Sequence, residues 1–397
     1  MPKLLLILNR ANIGGIVSQV ANLYKNLPDS YETHLISGCP EADEASADAW
    51  LQAMDIRVTY VPNMQRAISW KKDREAYLFI KNYIRQFQPD IVHTHAAKAG
   101  ALGRLAAFAC NVPVVVHTFH GHAFNHYFGK LKTAFFIKIE RHLAKKCSAI
   151  IAISALQKKD LTEVYKIAPP QKVPIIELGY DFTKLTENTP QKRQHFRRQY
   201  QLDDDVIALG MIGRLAPIKN PSMFLRNFAK VYAQSKQKVK AFLVGDGELR
   251  QSLEQEILAL GLKYSSAPPF DAPIIFTSWI ENVSEVFAGL DGVVLCSLNE
   301  GTPVSLLEAQ ACNKPIVSTD VGGVLDIVVP NETALVSGRS DDEAFYQNLL
   351  AVVEKTSLRE KLSQNGKKNV WKRFSIDTMV SKHVHLYEQL LAAEKET

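Results

Sequence analysis

Two carboxylates, two cations and a set of histidines stand at spacings that could do chemistry. The acids, Glu300 and Glu308, lie in VVLCSLNEGTPVSLLEAQACNKPIVSTD, residues 293–320. Asn299-Glu300-Gly301 breaks an apolar run, and Thr302-Pro303 reads as an N-cap with a first-turn proline, so a helix starts near Pro303 and carries Glu308. Glu308 then lies about 7 to 8 Å along the helix axis from Pro303 at about 1.5 Å per residue. One carboxylate at the turn and one farther back suit a ligand with hydroxyls at both ends and a phosphate between. Unpaired N–H groups around Gly301 and Thr302 add an anion or oxygen site. Upstream, in GRLAPIKN, Arg214 and Lys219 bracket a turn ahead of another helix start, which suits a diphosphate.

The first half carries its histidines in VHTHAAKAG (His93, His95, with Lys98) and VHTFHGH (His117, His120, His122). Both segments end strand-type runs, where open parallel sheets bind ligands. His93 and His95, two apart on a strand, share one face and could bind zinc, but no third ligand is evident nearby. Substrate positioning is the stronger reading of this segment. Asp203-Asp204-Asp205 reads as a solvated charge run in a polar stretch, so no obligatory metal is expected.

Strand ends must hold all these groups. Leu4 to Leu8 reads as a buried strand, followed by Asn9 to Gly15 and an amphipathic helix to about Leu27. Further strands are expected at 33–37, 57–61, 90–93, 113–118, 148–153 and 173–177, with helices at 46–54, 71–87, 98–109, 130–146 and 156–165. Residues 181–205 lose the apolar periodicity, gain charge and read as a linker. A second series starts at Val206 to Ile212 and has strands near 240–244, 273–276, 292–297, 315–318 and 333–336. An amphipathic segment from about Asp377 to Ala393 closes the chain. Strands alternating with helices imply two doubly wound α/β domains with parallel sheets, 1–180 and 206–375.

The run from Glu300 to Glu308 resembles the E-x7-E motif of retaining GT-B glycosyltransferases, the glycosyl transferases group 1 family. That resemblance implies two Rossmann-like domains facing across a cleft, with residues 376–397 returning to the first. It implies that Glu300 lies by the donor sugar, that Gly301, Thr302, Pro303 and Val304 line it, and that Glu308 binds the ribose hydroxyls. Gly213, Arg214 and Lys219 match the family's G-R-x4-K segment, whose cations stabilise the departing nucleoside diphosphate. Gly245 and Gly247 match a glycine turn near the nucleotide, and Trp279 and Ile280 match the segment that holds the base. Thr319-Asp320-Val321-Gly322-Gly323 matches the C-terminal signature. Gly15 matches the loop approaching donor phosphates and acceptor, although two glycines in a tight strand-to-helix turn explain it as well. His120 matches the position that reaches the donor sugar's outer hydroxyl, and the Lys-Ala-Gly segment puts His95 and Lys98 on the acceptor side. Asn313 and Leu325 depart from the family pattern, where glycine and proline are common.

The resemblance implies transfer from a nucleotide-sugar, UDP-sugar ahead of GDP-sugar, with no obligatory cofactor. The histidine segments look most like those of bacterial capsule, exopolysaccharide and O-antigen enzymes, for which a polyprenyl-diphosphate-linked acceptor is expected. A non-enzymatic nucleotide-sugar scaffold and an enzyme with a soluble acceptor are the alternatives.

The chain has 397 residues and five scattered cysteines, read as free thiols in a reducing compartment. The start, MPKLLLIL, is too short for a signal peptide, and no apolar run reaches the roughly 18 residues of a membrane span, so a cytoplasmic protein is expected. The net charge of +6 is uneven: residues 1–180 hold 22 Lys and Arg against 14 Asp and Glu (+8), and the rest hold 25 against 27 (−2). Helix 130–146, with Phe135, Phe136, Ile139 and Leu143 beside many lysines, is either core-facing or a peripheral contact with anionic membrane. Nucleic acid is not expected, since no binding module accompanies the basic charge.

Overall fold

The computed structural model describes residues 1–65, 67–121 and 130–395, and of 130–132 only the backbone. Its contacts separate two compact units, Met1–Tyr180 with Phe374–Thr397, and Asp181–Arg373.

The first unit contains β1 (Lys3–Leu8), β2 (Glu32–Ser37), β3 (Val58–Tyr60), β4 (Ile91–His95), β5 (Val114–Phe119) and β6 (Ala149–Ala152). They form one parallel sheet in the order β3-β2-β1-β4-β5-β6. Parallel strands covered on both faces need near-continuous apolar runs. The LLLIL of β1 serves both: Leu5 and Ile7 enter one core, Leu4, Leu6 and Leu8 the other. Helix Gly15–Asn26 and the last helix, Ile376–Lys395, close the second core, the latter through Met379, Val380 and Tyr387. Residues 173–177 add no seventh strand. Ile175 makes a single bridge to Ala152, and Pro174 has no N–H to donate to a ladder. Helix Lys130–Lys146 buries Leu143 and Ala144, while Glu140 meets the buried Arg104 guanidinium at 2.7 Å and Phe135 is 62% exposed.

The second unit contains β7 (Ile207–Ile212), β8 (Val239–Val244), β9 (Tyr264–Ser265), β10 (Ile274–Ser278), β11 (Gly292–Leu295), β12 (Ile316–Thr319) and β13 (Leu335–Ser337), in the order β13-β12-β11-β7-β8-β10-β9. Residues 181–205 are not a free linker but helices Thr183–Thr186 and Thr189–Gln199, part of this unit. Their apolar signal is narrow, a Phe196 and Tyr200 pair four apart that packs against Phe242, Tyr200 edge-on. Phe196 fits because Gly289 lacks a Cβ, which would lie 2.0 Å from its ring. The charge of this stretch is bound as well, Arg193 and Arg197 pairing with Asp291 at 2.8 and 3.2 Å.

In each sheet the winding reverses once, between β1 and β4 in the first unit and between β7 and β11 in the second. Loops leaving the carboxyl ends at such a switch point diverge and open a crevice, the usual ligand site of open α/β sheets. Among the described residues no helix is long and apolar enough to cross a membrane.

Candidate active site

In the second unit the loops that leave β7 and β11 carry the predicted cations and the first carboxylate. After β7 the chain passes Gly213, at φ 144°, and a 3-10 turn, Pro217–Lys219, to Asn220 in the left-handed region, which starts helix Pro221–Gln234. After β11 it runs through Ser297 to Glu300, ahead of helix Val304–Ala311. Lys219 Nζ lies 2.5 Å from Glu300 Oε1, and the Ser297 hydroxyl donates to the same oxygen at 2.6 Å. The two loops are also joined through backbone, where Leu298 N–H donates to Ile218 at 2.8 Å. Beneath them the buried Cys296 thiol donates to the Asn220 carbonyl at 3.1 Å. Burial pushes this thiol up to about 12, so it is a protonated packing group.

Glycines fix the rest of this rim. Gly322, at φ 52°, and Gly323 lie under the Glu300 turn, and a Cβ on either would stand 1.9 Å from the carbonyl oxygen of Glu300 or Gly301. Gly323 N–H donates to the Glu300 carbonyl at 3.1 Å. Gly245, at φ 125°, and Gly247 bring the loop after β8 equally close to the loop after β7, with Cβ positions 2.2 and 2.5 Å from the carbonyls of Gly213 and Leu215. Gly245 N–H donates to Ser278, which draws in the turn bearing the exposed Trp279 and half-buried Ile280. Gly301 has open space around it, Thr302 is half-buried, Pro303 is buried and Val304 is 40% exposed. Arg214 points outward, 67% exposed, and meets Glu248 at 3.1 Å. Glu308 is half-buried within its helix, and burial pushes its carboxyl up to about 7. A ligand hydroxyl that donates to it would draw it into the charged form.

The first unit gathers its histidines at the ends of β4 and β5. His93 Nδ1 meets Tyr387 Oη at 2.6 Å, and its Nε2 meets Thr118 Oγ1 at 2.7 Å. His117 bonds Thr94 at 2.9 Å, and its imidazole packs where Gly100 leaves no Cβ. His95 Nδ1 lies 2.9 Å from His120 Nε2. Burial pushes all four rings down, His120 to about 4, so they are neutral near neutrality. His383, from the last helix, joins His95, His120, Thr118, Gln19 and Glu177 around a cavity of about 20 Å³. Its Nδ1 meets the Met379 carbonyl at 2.8 Å.

Lys98 is occupied otherwise: its ammonium pairs with Asp73 at 2.6 Å and caps the Ala67 carbonyl. Gly15 is exposed and opens helix Gly15–Asn26 beyond β1. His122 lies outside the described residues. Sequence reasoning missed Ser297, Glu248, Tyr387 and His383. The last two stand some 290 residues from β4 on a helix whose pattern marks only an amphipathic segment.

The model of the family described as Glycosyl transferases group 1 matches residues 192–369, and that of Glycosyltransferase Family 4 matches residues 13–184. The chain is 28% identical over 334 residues to the UDP-Gal:alpha-D-GlcNAc-diphosphoundecaprenol alpha-1,3-galactosyltransferase of Escherichia coli, covering 84% of each chain. It is 24% identical to the capsular polysaccharide biosynthesis glycosyltransferase CapM of Staphylococcus aureus, over 86% of this chain and 87% of that one. Anabaena HepE, solved in complex with UDP, superposes with a TM-score of 0.77 at 19% identity, over 98% of this chain and 100% of that one. With both of its α/β units accounted for in this way, the chain belongs to the glycosyl transferases group 1 family and is a glycosyltransferase of GT-B fold.

Proposed function

We propose that this protein transfers a sugar from a UDP-sugar, with retention of anomeric configuration, to a hydroxyl of a polyprenyl-diphosphate-linked saccharide in bacterial surface polysaccharide synthesis. The observation that carries the reading is the meeting of Lys219 and Glu300 at the switch point of the second sheet. A cation beside a helix start suits a diphosphate, and a carboxylate on the neighbouring loop suits the attached sugar. Glu308 takes the ribose hydroxyls, Arg214 joins Lys219 on the diphosphate, and Trp279 and Ile280 flank the base. Gly301 to Val304 line the sugar. His120 is the first unit's contribution to holding the donor sugar, and His95 lies on the acceptor side.

In this reaction the bond from C1 of the sugar to the diphosphate oxygen breaks as the acceptor oxygen bonds C1. The acceptor proton passes to the departing phosphate. Glu300, already held by Lys219 and Ser297, is a poor free nucleophile, which favours attack from the face that the leaving group vacates over a covalent glycosyl-enzyme. The cations and helix start meet the developing diphosphate charge without a metal, so chelation with EDTA leaves turnover unchanged. The UDP-sugar and the lipid-linked acceptor rest on the named activity of the Escherichia coli relative, and the UDP also on the complex in which the Anabaena structure was solved. With that acceptor, the exposed Phe135 and the lysines of helix Lys130–Lys146 serve as a peripheral contact with the inner face of the plasma membrane.

The test is release of nucleoside diphosphate from UDP-, GDP- and ADP-sugars, with and without bacterial lipid extract, followed by NMR of the product's anomeric proton. Extract-dependent release from a UDP-sugar with a retained anomer is the expected result. Inverted product overturns the mechanism, and release that needs only soluble sugars overturns the acceptor.

A further inference from the structure

The pairing of two buried histidines in the first unit goes beyond the assignment of either one to a ligand. His120 follows β5 and His95 ends β4, and the parallel register sets His95 beside Thr118, two residues before His120. The rings meet through His95 Nδ1 and His120 Nε2 at 2.9 Å, with centroids 5.1 Å apart. His95 is held in turn: it is 2% exposed, and His93 lies over it with centroids 4.1 Å apart. His93 is pinned at both nitrogens by Tyr387 and Thr118.

We infer that His95 is a positioning residue for His120, fixing its ring and its tautomer so that a protonated Nδ1 is presented to the bound sugar. One proton lies between the two nitrogens, and the tautomers differ in which ring owns it. Were His120 the donor, His95 would carry its own proton on Nε2. That nitrogen is buried with no hydrogen-bond partner among the described residues. An orphaned buried N–H is rarer than an under-used acceptor, so His95 donates from Nδ1 and leaves Nε2 as a bare lone pair. His120 then accepts at Nε2 and carries its proton on Nδ1, which has no hydrogen bond among the described residues and does not belong to the buried unpartnered atoms. A fixed N–H at that position is a donor to a sugar hydroxyl oxygen, and no acid–base step is needed. The inference rests on the proposed glycosyl transfer for its kinetic part only.

The experiment compares His95→Leu, which keeps the volume but cannot donate, with His95→Asn, whose amide nitrogen stands close to ring Nδ1. Nitrogen-15 NMR of His120 in the full chain, without donor, reads the tautomer directly. Wild type and His95→Asn should show one tautomer protonated at Nδ1, and His95→Leu an averaged ring. In turnover with the responsive donor, His95→Leu should lower kcat about tenfold with little change in the donor KM, and His95→Asn should recover most of the loss. Thermal unfolding confirms that both variants fold. An Nε2-protonated or averaged His120 in wild type overturns the inference, as does a His95→Asn variant as impaired as His95→Leu. A locked Nδ1 tautomer without turnover on any nucleotide-sugar would sustain the pairing and overturn the proposed function instead.

Discussion

Lys219 and Glu300, 81 residues apart in the chain, meet at 2.5 Å where the second sheet reverses its winding. In the proposed reaction Lys219 has two partners to serve, the carboxylate when the site is empty and a diphosphate when it is filled. Arg214 differs, since its pair with Glu248 is two-thirds exposed on the arginine side and is worth at most about 1 kcal/mol.

Arg214→Ala should therefore lower the thermal unfolding midpoint by no more than about 2 to 4 °C while lowering kcat about 100- to 1000-fold, the usual loss for one donor to a developing anion. Glu300→Ala should also cut transfer strongly, and it removes the partner of Lys219. Near-normal turnover in both variants would dismiss the assignment of this rim to the donor.

Gly322→Ala tests whether the Glu300 turn is held from beneath. Its φ of 52° disfavours a side chain, and the added methyl would meet the Glu300 carbonyl. A loss of about 1 to 3 kcal/mol in denaturant unfolding is expected, with weaker UDP binding. Alanine tolerated in both measurements would mean that this loop can move.

Nucleotide affinity should depend on the Glu308 proton. With its carboxyl at about 7 in the free protein, binding through the carboxylate must expel a proton below that pH. Calorimetry should show UDP affinity nearly flat above about pH 8 and falling about tenfold per pH unit well below 7. Glu308→Gln should bind more weakly and lose the slope. An unchanged slope in that variant would place the titrating group elsewhere.

Acid should loosen the first unit through its histidines. His120 and His383 titrate at about 4 in the fold against 6.5 in the free side chain. Between these values the unfolded chain binds more protons, so stability is full above about pH 6.5 and falls as pH drops towards 4. Each group contributes a slope of about 1 kcal/mol or slightly more per pH unit. Lys382 pairs with Glu177 beside the same cavity. Denaturant unfolding from about pH 7 to 4 checks the slope, and His383→Gln should reduce it.

Much of this was legible in one dimension, because the signals are local. The apolar runs of β1, β5 and β7 specify buried parallel strands whatever they pack against, and Thr302-Pro303 announces a helix start by its own backbone preferences, although Pro303 and not Thr302 takes the cap and the helix begins at Val304. Glu300, Glu308, Arg214 and Lys219 stand out because turn and helix chemistry surrounds them. Residues 181–205 were misread for the complementary reason. Two aromatic residues four apart are a faint pattern, and only Gly289, Phe242 and Asp291, distant in sequence, make that segment part of a core.

The sequence by itself determined the two α/β halves, the strand ends that carry chemistry and the residue types set there, since these follow from periodicity and backbone preference within a few residues. Tertiary structure alone decided the partners. It gave Lys219 and Ser297 to Glu300, Asp73 to Lys98 and His95 to His120, and it brought Tyr387 and His383 from the end of the chain to the histidines of β4 and β5. Parallel sheets reverse their winding only in three dimensions, and burial, which sets the protonation of Glu308 and the histidines, exists only once both faces of each sheet are covered.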